Sequence, residues 1–474
     1  MNPSVEQLIR LSYKNRERNL YMKKSIEILL PLIFLTVCLL LTFQEDLRLA
    51  VPLLIGVTAF LAVLLALIAH YEVPNINLKP VTIIVVALLL RLMFLLQPPQ
   101  LSDDIYRYLW DGTELLKGIN PYAYAPSRVT PPVEMQKIHA QINHPKYVTI
   151  YPPAAQLVFA AGATLGGTVT GLKTLLIAID LFLCWLLMMV LKHLEMPVWH
   201  AVLYAWNPLP VIEIASSGHV DGAGLAMLTG ALLLLLPKRD CCPTPVKNIM
   251  SIMLSGALLA GAVLVKLLPL ILFPIFFILV PRDRRLLFIS TFIATLAALA
   301  LPFIPDLPNM LTSLKVYAYN WEFAGFAFST IRTLTGSGSL ARMIVLGTFL
   351  IIAIAVLVRL RRSLQNSPET VERNRIIISA CYATVMAFLL LTPTLQPWYA
   401  LFLAVFLPYC AGPAGMILCW AVFLTYQVQI DYFILGKWLE NPLVSAAVFL
   451  APVTAGILAL LCKRQCCKGE SLDL

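Results

Sequence analysis

Residues 81–126 read VTIIVVALLLRLMFLLQPPQLSDDIYRYLWDGTELLKGINPYAYAP, and the change of character at Pro98 decides the fold. Up to Gln97 the stretch is apolar for about the length that a helix needs to cross a bilayer, roughly 17–25 residues. From Ser102 it carries charge in nearly every turn, so the chain has left the lipid there. The first half of this pattern recurs from Ile26 to Cys462. Of 474 residues, 59% are hydrophobic and 13% charged, the inverse of a soluble domain, in which about a quarter are charged. The fold class implied is all-α, a polytopic transmembrane helical bundle.

The net charge of +10 does not point to nucleic acid. Its basic residues fall in short clusters between apolar runs, Arg10–Lys24, Lys238–Lys247, Arg282–Arg285, Arg359–Arg375 and Lys463–Lys468, which is the pattern of cytoplasmic loops. With all five inside, 1–25 is a cytoplasmic basic segment, 26–462 the membrane domain and 463–474 a cytoplasmic tail. The run Ile26–Phe43 lacks a small-residue cleavage site and is followed by another span, so it stays as the first helix. Spans Ile26–Phe43, Val51–Ala69 and Val81–Gln97 then place 98–150 outside. Further crossings fall at Val198–Ile214, Ala223–Leu236, Ile249–Val265, Leu267–Val280, Leu286–Leu301, Leu340–Leu357, Ile376–Leu391, Tyr399–Gly412, Met416–Gln429 and Leu443–Leu461. Parity allows only one crossing between Ala154–Gly166 and Leu172–Leu191. The first of these is short and opens on Pro152-Pro153, so it is the one expected to lie in the interface or re-enter. The total is about 12–14 spans. The doublets Cys241-Cys242 and Cys466-Cys467 fall on the reducing face, with no second pair at zinc spacing, which favours acylation or no role.

This threading gathers one set of polar features on the outer face: the loop 98–150, Gly218-His219-Val220-Asp221, Lys266, the loop 302–339, and Gln396-Pro397-Trp398-Tyr399. In the first loop Ile105, Tyr108, Leu109, Leu115 and Leu116 recur at helical spacing, giving an amphipathic helix along the membrane surface. Ser102 is its N-cap, Lys117 lies in the last turn, Gly118 follows the end and Pro121 blocks resumption. Asp103 and Asp104 would suit the first turn of any helix as dipole partners. Two adjacent carboxylates are costly near lipid, however, and Arg107, Asp111, Glu114, His139, His144 and Lys146 share the loop, so a polar cavity is implied.

Ser102-Asp103-Asp104 with Tyr106-Arg107-Tyr108, Trp110-Asp111-Gly112, Gly118-Ile119-Asn120-Pro121-Tyr122, Asn143-His144-Pro145 and Thr149-Ile150-Tyr151-Pro152-Pro153 resembles the bacterial mannosyltransferase-type members of the GT-C superfamily. Ala205-Trp206-Asn207-Pro208, Gly218-His219-Val220-Asp221, Lys266 with Pro269, and Gln396-Pro397-Trp398-Tyr399 are similar too, so the resemblance covers about residues 80–410. It implies an inverting hexosyl, and by the nearest likeness mannosyl, transfer from a polyprenyl-phosphate-linked donor to a glycolipid or glycan acceptor. The setting would be a bacterial cytoplasmic membrane, with both termini inside and the site on the outer face. It also implies that one acid at the start of the first large loop is the base, Asp103 before Asp104. No cofactor is required by the resemblance, although adjacent aspartates can bind a divalent metal.

A departing lipid phosphate needs fixed cations or donors, and Arg107, His219, Lys266, Lys315 and Arg332 are the candidates on that face. Lys266 between two apolar runs fits this role or simple snorkelling. Asp111, Asn120, Tyr122, His144, Tyr151, Asp221, Gln396, Trp398 and Tyr399 are the candidates for sugar or acceptor. Asp221 also fits as an N-cap, and Trp398 and Tyr399 as interface-belt aromatics. Asp180 and Glu213 lie inside apolar runs and motivate the competing function, a transporter or flippase for a lipid-linked sugar.

Overall fold

The computed structural model describes residues 25–70, 78–237, 248–367 and 369–469, the side chains beyond Cys462 excepted. The basic clusters 10–24 and 238–247, with Cys241-Cys242, lie outside the described residues, as do the side chains of Lys463–Lys468 and Cys466-Cys467. Among the described residues every regular element is helical, and extended chain pairs only as isolated bridges of Phe323 and Ala324 with Thr394. In chain order the principal helices are α1 Ser25–Thr42, α2 Val51–His70, α3 Pro80–Leu95, α4 Asp104–Leu116, α5 Pro153–Ala163, α6 Val169–His193 and α7 Asp221–Leu235. They continue with α8 Ile249–Val265, the helical stretches α9 Leu268–Leu279 and α10 Arg282–Asn320, then α11 Gly338–Asn366, α12 Thr370–Leu391, α13 Pro413–Leu435 and α14 Pro442–Cys462. Eight of these, α1, α2, α6 and α10 to α14, are long and apolar enough to cross a membrane. The protein is a multi-pass membrane protein.

Proline explains where the structure departs from the expected spans. Val198–Ile214 is not one helix. Pro197, Pro208 and Pro210 divide it into a 3-10 turn Val198–Ala201, short α-turns Val202–Ala205 and Pro208–Pro210, and a π-helical turn Val211–Ser216. Asn207 bridges the break by accepting the Leu209 N–H at 3.0 Å. Broken backbone inside a membrane protein survives only where protein surrounds it, and every residue from Ala201 to Ala226 is buried. Tyr399–Gly412 is broken likewise, into a 3-10 turn Pro397–Ala400 and an α-turn Leu401–Ala404. The expected loop 302–339 is largely helical: the end of α10 and a further helix, Phe326–Thr335, occupy it.

α5 has 11 residues, too few to cross. It packs on α4, where Gly112 is required because a Cβ there would overlap the Phe159 carbonyl. The rings of Tyr108 and Phe159 stack alongside at 4.3 Å. Arg107, Asp111 and Glu114 on α4 are also buried, so its polar side faces protein and the cavity described below.

A buried ion pair locks α3, α6 and the broken segment. Arg91 Nε donates to Asp180 Oδ2 at 2.6 Å, its Nη1 to the Ala205 carbonyl at 2.8 Å, and the Tyr204 hydroxyl to Asp180 Oδ1 at 2.7 Å. Both charged side chains are fully buried. Asp180 is therefore committed to packing, which removes one motive for a transport function. Arg91→Ala strands a carboxylate in a dry interior, and is expected to cost about 3–5 kcal/mol. Thermal unfolding in detergent micelles checks this; Arg91→Met with Asp180→Leu should recover most of the loss.

Candidate active site

Pro98 and Pro99 stop α3, Leu101 is buried, and the chain turns into α4 at Asp104, with Asp103 at the cap position. This start is one residue later than a Ser102 N-cap implies: Asp103 has φ −96° and ψ 0°, while the Ser102 hydroxyl accepts the Asp104 N–H at 3.4 Å. Gly118, at φ +79°, ends the helix as expected. The turn presents both carboxylates to a cavity of about 810 Å³, a size ordinary for a ligand site.

Asp103, Asp104, Arg107, His144, Tyr151, Lys266, Gln396, Trp398 and Tyr399 line this cavity. Four other candidates stand behind its wall. Asp111 holds Arg107 (3.1 Å), whose Nη2 also donates to the Tyr147 carbonyl. Asp221 holds Lys266 (2.6 Å). Tyr122 is buried and donates its hydroxyl to the Tyr151 carbonyl at 2.7 Å. His219 is buried 3.8 Å from Asp104. Asn120 is occupied elsewhere, tying its turn to Asp306 at 2.8 Å. Lys315 and Arg332 are exposed and off the cavity wall, and Arg332 pairs with Glu322, which Arg342 also holds at 3.0 Å.

The two aspartates differ. Asp104 accepts the Asn143 amide at 2.8 Å on Oδ1 and the Tyr151 hydroxyl at 2.9 Å on Oδ2, and Tyr108 donates in turn to Tyr151 at 2.9 Å. Burial pushes the Tyr151 phenol well above its ordinary range, which keeps it a donor. Asp103 is exposed toward the cavity, and its carboxylate accepts no hydrogen bond among the described residues. Partial burial, then the neighbouring Asp104 charge, raise its carboxyl above the usual range, against the pull of Arg48. A carboxyl raised on folding favours the fold while protonated. That contribution is complete below the ordinary carboxylate range and lost as pH rises through the raised value. Asp103→Asn is therefore expected to raise the melting temperature at pH 7 by about a degree or two, the charge being largely screened. The gain should vanish near pH 3 in a differential scanning series.

Lys266 breaks α8: it takes an extended conformation, φ −155°, at the C-cap and sends its ammonium over Tyr399 (4.7 Å) and Trp398 (5.8 Å). Cation–π contact and Asp221 together fix that charge at the cavity wall. On another wall His144 has φ +45°, unusual for a non-glycine residue, and meets Trp321 edge-on at 4.8 Å. Tyr317 stacks on Trp321 and its hydroxyl contacts that of Tyr399 at 2.8 Å.

Sequence reasoning missed Arg48, Trp321 and Tyr426 in this wall. Arg48 had a signal, a charge in the short turn 44–50 that threads to the same face. Trp321 falls in the stretch 302–339, whose sequence reads as loop, and Tyr426 lies in an apolar run where nothing marks it. Among the described residues no group of three or more His, Cys, Asp or Glu side chains is disposed to hold a metal ion.

A broken-helix bundle that opens a paired carboxylate and a fixed lysine onto one cavity defines the class, a polytopic membrane protein built for polar chemistry. The model of the alpha-(1->6)-mannopyranosyltransferase N-terminal domain family matches residues 34–282, just over half of the chain. The chain belongs to that family and is a membrane glycosyltransferase. No curated protein and no solved structure matches it.

Proposed function

We propose that the protein transfers mannose from a polyprenyl-phosphate-linked donor to a hydroxyl of a glycolipid or glycan acceptor on the outer face of a bacterial cytoplasmic membrane, with inversion. The observation that carries this reading is the common cavity shared by Asp104, held by Asn143 and Tyr151, and Lys266, held by Asp221. We place the base on Asp104 rather than on Asp103, because a proton acceptor must be held at a fixed distance from the reacting hydroxyl, and Asp104 is the member so held. A carboxylate cannot deprotonate a sugar hydroxyl outright. It receives the proton as the bond to the anomeric carbon forms. Lys266 meets the charge that grows on the departing phosphate. Leu267, Leu268 and Ile271 follow it along the cavity wall and offer apolar surface to a lipid chain. His144 and Trp321 are the acceptor's aromatic contacts, and Asp103 with Arg48 forms the polar rim.

The test is transfer by the full chain in nanodiscs, given β-mannosyl polyprenyl phosphate and a short alkyl mannoside. An α-linked, one-mannose-longer product, with α-(1→6) linkage by family, supports the proposal. Donor movement across liposomes without mannose transfer would favour the flippase instead.

A further inference from the structure

Behind Asp104 lies a buried acid that takes no part in the transfer above. Gly218, at φ +79°, closes the broken segment onto α4, where a Cβ would overlap Ile105. That closure seats His219, fully buried, with its ring stacked on Trp398 at 3.9 Å. Nδ1 faces Asp104 Oδ2 at 3.8 Å, and Nε2 faces Glu213 Oε2 at 3.6 Å. Neither ring nitrogen has a hydrogen-bond partner among the described residues. Glu213, also fully buried, sits on the π-helical turn and receives the Tyr426 hydroxyl on Oε1 at 2.8 Å and on Oε2 at 3.0 Å. The His219 backbone N–H donates to the Glu213 carbonyl at 2.9 Å, so one turn fixes both side chains. Lys266 and Asp221 are the other charged groups close enough to act on this pair.

We propose that Glu213 is a positioning residue that holds the His219 proton on Nε2, leaving the Nδ1 lone pair as the acceptor behind Asp104. The proposal rests on Asp104 being the base of the transfer reaction. A neutral imidazole has one N–H, and here a carboxyl group stands at each nitrogen. Asp104 accepts two separate donors, the Asn143 amide and the Tyr151 hydroxyl, whereas Glu213 shares the single Tyr426 hydroxyl between its oxygens, and burial, then the nearby Lys266 charge, disfavour a second proton on the ring. Burial raises the Glu213 carboxyl to about 8, and once it is ionised above that value the single ring proton belongs to Nε2, facing Glu213. On transfer, the acceptor O–H bond breaks and its electron pair forms the new bond to the anomeric carbon. The phosphate leaves with the old C–O pair, and Asp104 takes the proton. The Asp104 O–H then meets the Nδ1 lone pair, and the proton is held within the site until the product leaves. A π-turn is a costly way to build a helix. Here it brings a second carboxyl group within 4 Å of the ring.

The experiment is nitrogen NMR of 15N-histidine-labelled full chain in nanodiscs, with His219 assigned by His219→Gln. At pH 9, where Glu213 is ionised and the ring is neutral, the wild type should show the Nε2–H tautomer at His219. Glu213→Leu should move the proton toward Nδ1, and Glu213→Asp should restore it. A wild-type Nδ1–H tautomer, or an unchanged tautomer in a folded Glu213→Leu protein, overturns the proposal. The wild-type spectrum decides even if that variant does not fold. In the transfer assay Glu213→Leu should lower kcat roughly tenfold or more with KM little changed, and Glu213→Asp should recover part of it. A Glu213→Leu loss confined to KM also overturns the proposal. The tautomer is read without substrate, so a wild type that transfers no mannose counts against the proposed function and leaves the Glu213–His219 pairing to be judged by its spectrum.

Discussion

Asp104→Asn is expected to slow mannosyl transfer by about 10²–10⁴-fold, the range that a positioned general base supplies, or roughly 2.7–5.4 kcal/mol of barrier. The amide keeps the shape of the carboxylate and can still accept the Tyr151 hydroxyl, so folding should be preserved and KM should change little. It cannot take the acceptor's proton. Asp103→Asn should stay within about tenfold of wild type, because no fixed donor aims that carboxylate at a reacting atom. The measurement is kcat and KM from radiolabelled mannose transfer on protein of matched melting behaviour. If Asp104→Asn transfers within tenfold of wild type while Asp103→Asn does not, the base is Asp103.

Lys266→Met should cost about 10²–10³-fold in kcat, the usual loss on removing one fixed donor from a developing anion. It also leaves Asp221, fully buried, without its partner at 2.6 Å, so a fall in stability will accompany the fall in rate. Lys266→Met combined with Asp221→Asn separates the two effects, since neutralising the stranded acid should restore the melting temperature and leave the rate low. Recovery of transfer in the double variant would mean that the lysine serves the fold and not the phosphate.

Legibility in the sequence followed physical range. The lengths of the apolar runs gave the bundle, and Gly118 marked where α4 ends, because each depends on residues close together in the chain. The breaks at Pro208-Leu209-Pro210 and Pro397 were visible as prolines, yet apolar content outweighed them. Hydropathy records how greasy a segment is and says nothing of whether its backbone stays paired. Lys266 and Asp221 could be named separately but not joined, since no local rule links residues 45 apart. Lys315 and Arg332 had the right charge, and the fold turns them away from the cavity: a charge on a surface helix costs little wherever it points, so sequence does not fix its direction. Asp180 read as a functional acid until Arg91 and Tyr204 were seen around it.

The family match stops at residue 282, and the cavity does not. Asp104, His219 and Lys266 come from the matched part, whereas Trp321, Gln396, Trp398, Tyr399 and Tyr426 come from the remainder. The chain thus divides its labour. The first portion holds the groups to which the reaction is assigned in the proposal above, and the second supplies much of the remaining wall and so shapes what can sit against them. Substitutions confined to the second portion can redraw the outline of an admitted glycan and leave the chemistry in place, which offers a route by which proteins of this build could change their product without reinventing their reaction.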